Sequence, residues 1–410
     1  MTSPSPADQG GLSRLARGSA IAGGAVVVNG LLSAAVLAVC SALHQTGQIA
    51  AYTVVTSVLA FVTILLGGGS AMLYLNGTEH ERALVRSQWS IVVVPGLVLG
   101  AVGTAVFYAH RGYDPGALAA AGVVALGNGL ATLQIADYTR RMRFLANAVL
   151  QCGSKAASLV LVLAGVPLTV SLAVAGVAQL VAGELALGKD GSLRRGTLRR
   201  PSLRDVGAAY RAGGPLFGYA TGDLYTARLG TVALSLAAGP AVLGPFGAVA
   251  AAYQAIGNVV QAALQVPMIA RTRARLGIGF SHHRASFAIG VALVCAVPMA
   301  AAVAALAPFL TGTILSLSHR SAAAWLTLFM LALPFMAVTR ALMFEWIGDG
   351  RYGRATRAVA LLAAVTTVCV AVGVPRFGPF GAAGATAAAE ALTLALLLAL
   401  HRRGFDLNRG

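Results

Sequence analysis

The stretch that decides the fold runs from Lys189 to Arg211, KDGSLRRGTLRRPSLRDVGAAYR. It holds seven Lys/Arg against two acids, Asp190 and Asp205. Gly196 and Pro201 interrupt it, so a continuous rigid helix is disfavoured and the segment reads as a charged loop or a mobile hinge. Mostly apolar blocks of similar length flank it, residues 1–188 and 212–410. A basic segment between two such blocks has the character of a cytoplasmic linker joining two membrane-embedded halves.

The composition supports this. The chain is 57% hydrophobic and 10% charged, where a soluble domain carries about 25% charged residues. No water-soluble core could hide so much apolar surface, so the chain reads as polytopic. The net charge of +17 raises the question of a nucleic acid partner. The basic residues, however, come in short clusters between apolar runs, which is membrane topology and not a binding stripe; no nucleic acid is expected. Cys40, Cys152, Cys295 and Cys369 each sit inside an apolar run without CxxC or Cys/His spacing, so they read as small hydrophobes, with no metal site.

A membrane helix needs about 20 apolar residues. That length places spans near residues 20–43, 51–75, 89–109, 116–135, 145–166 and 168–187, and after the linker near 214–236, 242–270, 285–306, 322–346, 358–374 and 380–400. The expected fold is all-α, with about twelve transmembrane helices in two pseudo-symmetric six-helix bundles around a central cavity. The boundaries follow: a disordered N-terminus (1–17), a first bundle (18–187), the linker (188–211), a second bundle (212–401) and a tail (402–410). With both termini cytoplasmic, 24 of the 30 Lys/Arg fall on the inner side, and the outer loops hold only Arg111, Arg320 and Arg376. Trp89, Trp325 and Trp346 fall at helix ends, where interfacial tryptophans are expected. The Gly67–Gly69 run and Pro267 are the clearest places for a helix to bend. The orientation has a direct test. In a chain without its native cysteines, a cysteine at Ser318 should react with an impermeant reagent on intact cells and one at Ser192 should not; the reverse pattern would overturn the topology.

Two segments carry a family resemblance. TGQIAAYTVVTSVLAFVTILLGGGSAMLYL (Thr46–Leu75) and AAGPAVLGPFGAVAAAYQAIGNVVQAALQVPMIAR (Ala237–Arg271) open on Gly-containing turns and close on Gly or Pro. They resemble the matching segments of Wzx-type lipid-linked oligosaccharide flippases, in the multidrug/oligosaccharidyl-lipid/polysaccharide exporter superfamily. The chain also departs from its relatives. The Asp-Arg pair that many carry early in the seventh span falls here on Gly230-Thr231, and the first span has Asn29 but no carboxylate, unlike many drug/cation antiporters. The related lipid II flippases have more spans than this sequence supplies. The resemblance implies a flippase of a polyprenyl-(pyro)phosphate-linked oligosaccharide in the cytoplasmic membrane, working by alternating access. It implies a lipid-linked glycan and membrane lipids as partners, with room for a coupling ion (H+ or Na+), a polysaccharide polymerase and glycosyltransferases. An ion-coupled exporter of small cations or drugs with the same fold is the alternative.

Lys155, Glu184, Asp223, Arg228, Arg340 and Glu390 fall well inside predicted spans. Each ionised group costs about 2.5–3.5 kcal/mol or more at the bilayer centre, so each should face protein or water. Either they pair and lock helices together, or the cations line a cavity whose acids tune it. The candidate substrate-binding residues are Lys155, Arg228, Arg340, Asp223 and Glu390. Lys155 and Arg228 would hold the phosphate head, Arg through its bidentate fork. Arg340 lies close enough to its helix end to reach water, and Glu184 closer still. Asp223 and Arg228 are about 140° apart around one helix and look to different partners. There is no GxxxxGK[ST] loop and no catalytic constellation, so neither ATP, another cofactor nor enzymatic activity is expected.

Overall fold

In the computed structural model the description covers residues 6–70, 73–74, 78–141, 143–188, 202–275, 285–315, 321–349 and 351–402; side chains at 215–224, including Asp223, lie outside it. Among these residues twelve helical segments follow one another: α1 (Pro6–Ala42), α2 (Thr46–Gly67), α3 (Glu79–Ala109), α4 (Pro115–Arg140), α5 (Phe144–Leu163), α6 (Leu168–Leu187), α7 (Leu203–Ala237), α8 (Pro240–Arg275), α9 (Ala285–Ala305), α10 (Ala322–Gly348), α11 (Tyr352–Phe377) and α12 (Pro379–Arg402). No strand occurs among the described residues. Ten of the helices are long and apolar enough to cross a membrane among those residues, and α9 with its continuation Ala307–Thr313 makes an eleventh. Apolar side chains cover the outside: Leu99, Val102 and Val106 on one face of α3 are 73%, 57% and 55% exposed. Such a surface suits lipid, and the chain is a multi-pass membrane protein.

The ends of the helices follow from local chemistry. α4 starts at Pro115 because Asp114 caps it, accepting from the Gly116 and Ala117 amides at 3.3 and 2.8 Å, with Pro at the first helical position. Thr78 and Glu81 form a reciprocal capping box at the start of α3. α2 stops earlier than its apolar run because Gly68 is left-handed, with φ +53°. Two carbonyls orphaned by that stop are satisfied from elsewhere. The Gln88 amide donates to the Leu66 and Gly67 oxygens at 3.0 and 3.1 Å, and the Tyr210 hydroxyl donates to Leu66 O at 2.6 Å. The Gly67–Gly69 run is thus a helix terminus and not a bend within a span. The π-helical turn Trp89–Val93 lies just before Pro95, whose missing N–H and ring cannot fit a regular α turn. The sharp break comes at Leu306, where α9 turns by 61°.

The helix pairing repeats between halves. α1 packs on α5 as α7 packs on α11; α2 on α4 as α8 on α10; α3 on α4 as α9 on α10. α6 lies against α4 and α5 as α12 lies against α10 and α11. Two six-helix bundles of one design result, meeting along α1, α2, α7 and α8. Glycine brings α8 onto α2: a Cβ at Gly244 would sit 2.5 Å from Thr46 O, and one at Gly247 would overlap Thr53. Helices α1, α3, α5 and α7 end in short turns on one face of the bundle; α2, α4 and α6 end at the opposite, basic face, which carries Arg82, Arg86, Arg141 and Arg143 among the described residues.

Several expectations need correction. Helix α1 begins at Pro6, within the segment expected from sequence to be disordered, since Pro is compatible with a first helical turn; residues 1–5 lie outside the described residues. The last part of the linker is helical, because Ser202 caps α7 by accepting from the Asp205 amide at 3.1 Å; residues 189–201 lie outside the described residues. Trp89 and Trp325 are not interfacial: they are 3% and 1% exposed. Trp89 donates to Ser70 Oγ at 2.9 Å, and Trp325 packs edge-on against Phe246 and Phe380. Both sit where helices cross, so protein surrounds them. Helix α8 continues through Pro267 to Arg275.

Candidate functional site

Where the bundles meet, they enclose a cavity of about 470 Å³. From the first bundle it takes Asn29 and Ser33 on α1, Tyr52 and Thr53 on α2, Asn128 on α4, and Gln151 and Lys155 on α5. From the second it takes Arg228 and Thr231 on α7, and Gln254, Asn258 and Gln261 on α8. Helical periodicity explains these sets. Asn29/Ser33 and Gln151/Lys155 are i,i+4 pairs, and Gln254, Asn258 and Gln261 follow i, i+4, i+7, so each set lies on one helix face.

The two cations come from opposite walls. Lys155 is eight residues from the Leu163 end of α5, and Arg228 nine from the Ala237 end of α7, about 12–13 Å along each helix. They therefore share one level, nearer the short-turn face. Lys155 makes no hydrogen bond or ion pair with any described residue. Arg228 Nη1 lies 3.4 Å from Ser57 Oγ, a long contact, and its buried Nε has no hydrogen-bond partner. No carboxylate is among the described residues lining the cavity. Two positive charges thus face a polar space with hydrogen-bonding capacity to spare.

The other candidates lie elsewhere. Arg340 on α10 and Glu390 on α12 pair at 3.0 Å, with side chains 2% and 3% exposed, and neither lines this cavity. Arg340 therefore does not reach out to water: it turns inward to a carboxylate in its own bundle. Asp223 lies on α7, and its side chain is outside the described residues. Glu184 is 8% exposed, not at the water boundary, because α6 packs on α4, where Tyr138 donates to Gly183 O at 3.0 Å and Gln134 to Leu180 O at 3.0 Å. A further buried acid, Asp137, was not singled out from sequence; it lies 3.9 Å from Arg141 and accepts from Tyr74 at 3.4 Å. Sequence reasoning also passed over the carboxamides of the cavity. They carry no charge, so a search for ionisable residues inside spans skips them, although the i, i+4, i+7 amides of α8 were visible as a polar stripe inside an apolar span.

These features define a class: a two-bundle, all-helical membrane protein with a polar, cationic cavity at the bundle interface. No protein-family model matches the chain, and no curated protein matches it in sequence. Solved structures do match. The chain is similar to the lipid II flippase MurJ in an inward closed conformation, with TM-score 0.64 and 12% identity over 88% of this chain and 86% of that one. It is similar to the MATE multidrug transporter DinF-BH, with TM-score 0.57 and 14% identity over 96% of both chains. It is also similar to an inward-facing multidrug resistance MATE family transporter of the MOP superfamily, with TM-score 0.54 and 15% identity over 92% and 95%. The chain shares the fold of these transporters.

Proposed function

We propose that the chain is a flippase that carries a polyprenyl-(pyro)phosphate-linked oligosaccharide across the cytoplasmic membrane, entering from the basic, cytoplasmic face. One observation carries this reading: Lys155 and Arg228 face the cavity from opposite bundles, with no carboxylate among the described lining residues. An anionic head is stabilised between them, and a cationic drug is repelled. A phosphate in the low-dielectric interior draws charge-assisted hydrogen bonds from both, and the Arg228 fork can bind two oxygens at once. Because each bundle supplies one cation, relative rocking of the bundles changes the distance between the two and so the grip on the head, as alternating access requires.

Purified protein in liposomes tests this. With a polyprenyl-diphosphate-linked oligosaccharide loaded in one leaflet, the substrate should become accessible to an enzyme probe on the other side at a protein-dependent rate. A cationic dye in the same vesicles should not move. Dye transport without lipid translocation would reject the flippase and support the exporter of cations or drugs.

A further inference from the structure

The cavity has a second chemical register besides its charge. Asn128 is 13 residues from the start of α4, Asn29 is 13 from the end of α1, and Gln254 is 14 from the start of α8, about 20 Å along each helix. Asn258 and Gln261 lie about 27 and 31 Å along α8, farther toward the basic face. The cations, at about 12–13 Å, form a layer nearer the short-turn face. Charge and carboxamides are thus segregated along the cavity axis. Several of these amides are unspent: Asn29 Oδ1 is buried without a partner, and Asn128, Asn258 and Gln261 make no side-chain hydrogen bond with any described residue.

We infer that this carboxamide layer selects the sugar, and that it takes a neutral, hydroxyl- and amide-bearing saccharide attached to the phosphate. The inference rests on the flippase reading above and adds the chemical class of the head. A carboxamide offers two donors and an acceptor, which suits sugar hydroxyls that both donate and accept. Two carboxamides one turn apart on α8, Asn258 and Gln261, present this pattern repeatedly over about 5 Å. An acidic sugar would bring a charge into a layer with no cation among the described lining residues, where an unpaired ion is strongly disfavoured.

Binding to purified protein decides it, using a short-chain polyprenyl diphosphate, the same lipid carrying one neutral N-acetylhexosamine, and the same lipid carrying one hexuronic acid. The wild type should bind the neutral glycolipid at least about tenfold tighter than the bare diphosphate, since each net hydrogen bond contributes about fivefold and two multiply to more than that factor. It should bind the uronic acid glycolipid no better than the bare lipid. In Asn258→Leu/Gln261→Leu the preference for the neutral sugar should collapse toward onefold. In Lys155→Ala both affinities should fall in parallel with the preference retained. Equal binding of the three lipids by wild type, preference for the uronic acid, or a double variant that keeps its preference overturns the carboxamide layer alone. Wild-type protein that binds none of the lipids overturns the flippase reading, and this inference with it.

Discussion

Lys155→Ala and Arg228→Ala are each expected to lower transport by roughly 30-fold or more while the protein accumulates and melts as wild type does. Removing one member of a desolvated charge contact costs about 2–5 kcal/mol, which is ~30-fold at the lower end. Here the partner lost is the phosphate of the substrate. Among the described residues Lys155 has no ion pair, and the Arg228 guanidinium has only the long contact to Ser57 at 3.4 Å. Neither truncation leaves a described carboxylate stranded, so the folded state has little to lose. Conservative variants separate charge from geometry. Arg228→Lys keeps the charge but loses the bidentate fork and should recover part of the rate; Arg228→Gln should recover almost none. Transport per molecule is the measurement. A normal rate in either alanine variant would remove that residue from the site.

The number of helices was legible because length and hydropathy are properties of each segment by itself. A run of apolar residues long enough to cross a bilayer announces itself whatever it packs against. The twofold design was legible for a similar reason, since the basic linker marks its midpoint. What the helices do to one another was less legible. Gly68 ends α2 because Tyr210 and Gln88, distant in sequence, complete its carbonyls. Trp89 and Trp325 fall at the ends of the spans read from sequence, as the interfacial rule wants, yet neighbouring helices cover them. The six charges inside spans could be listed from sequence, but their partners depend on which helix faces which. Arg340 and Glu390, fifty residues apart in sequence, meet only because α10 packs against α12. Lys155 and Arg228 come to one level only because α5 and α7 end on the same face and carry their cations at similar distances from those ends. The carboxamides were visible as letters but not as a site, because an amide costs far less to bury than a charge and a search for buried charges does not find it.

The buried pair in the second bundle should behave in the opposite way to the cavity cations. Arg340 and Glu390 are held at 3.0 Å with almost no exposure. Replacing Arg340 with Met leaves the Glu390 carboxylate without that guanidinium, and breaking a buried pair from one side costs about 3–5 kcal/mol. That is a large share of the stability of a folded domain, so the level of Arg340→Met in the membrane should drop several-fold and its melting temperature in detergent should fall. Glu390→Met should do the same from the other side. The double variant Arg340→Met/Glu390→Met strands neither charge and replaces the pair by apolar groups of similar length, which is often neutral or stabilising. Abundance should therefore return when both are changed. Single variants with unaltered melting would show that the pair does not hold α10 to α12. The double variant also settles the role of the pair in transport. A stable double variant that moves substrate at the wild-type rate makes the pair a clamp within the second bundle. One that is stable but inactive makes it part of the transport machinery, the role expected of both residues from sequence.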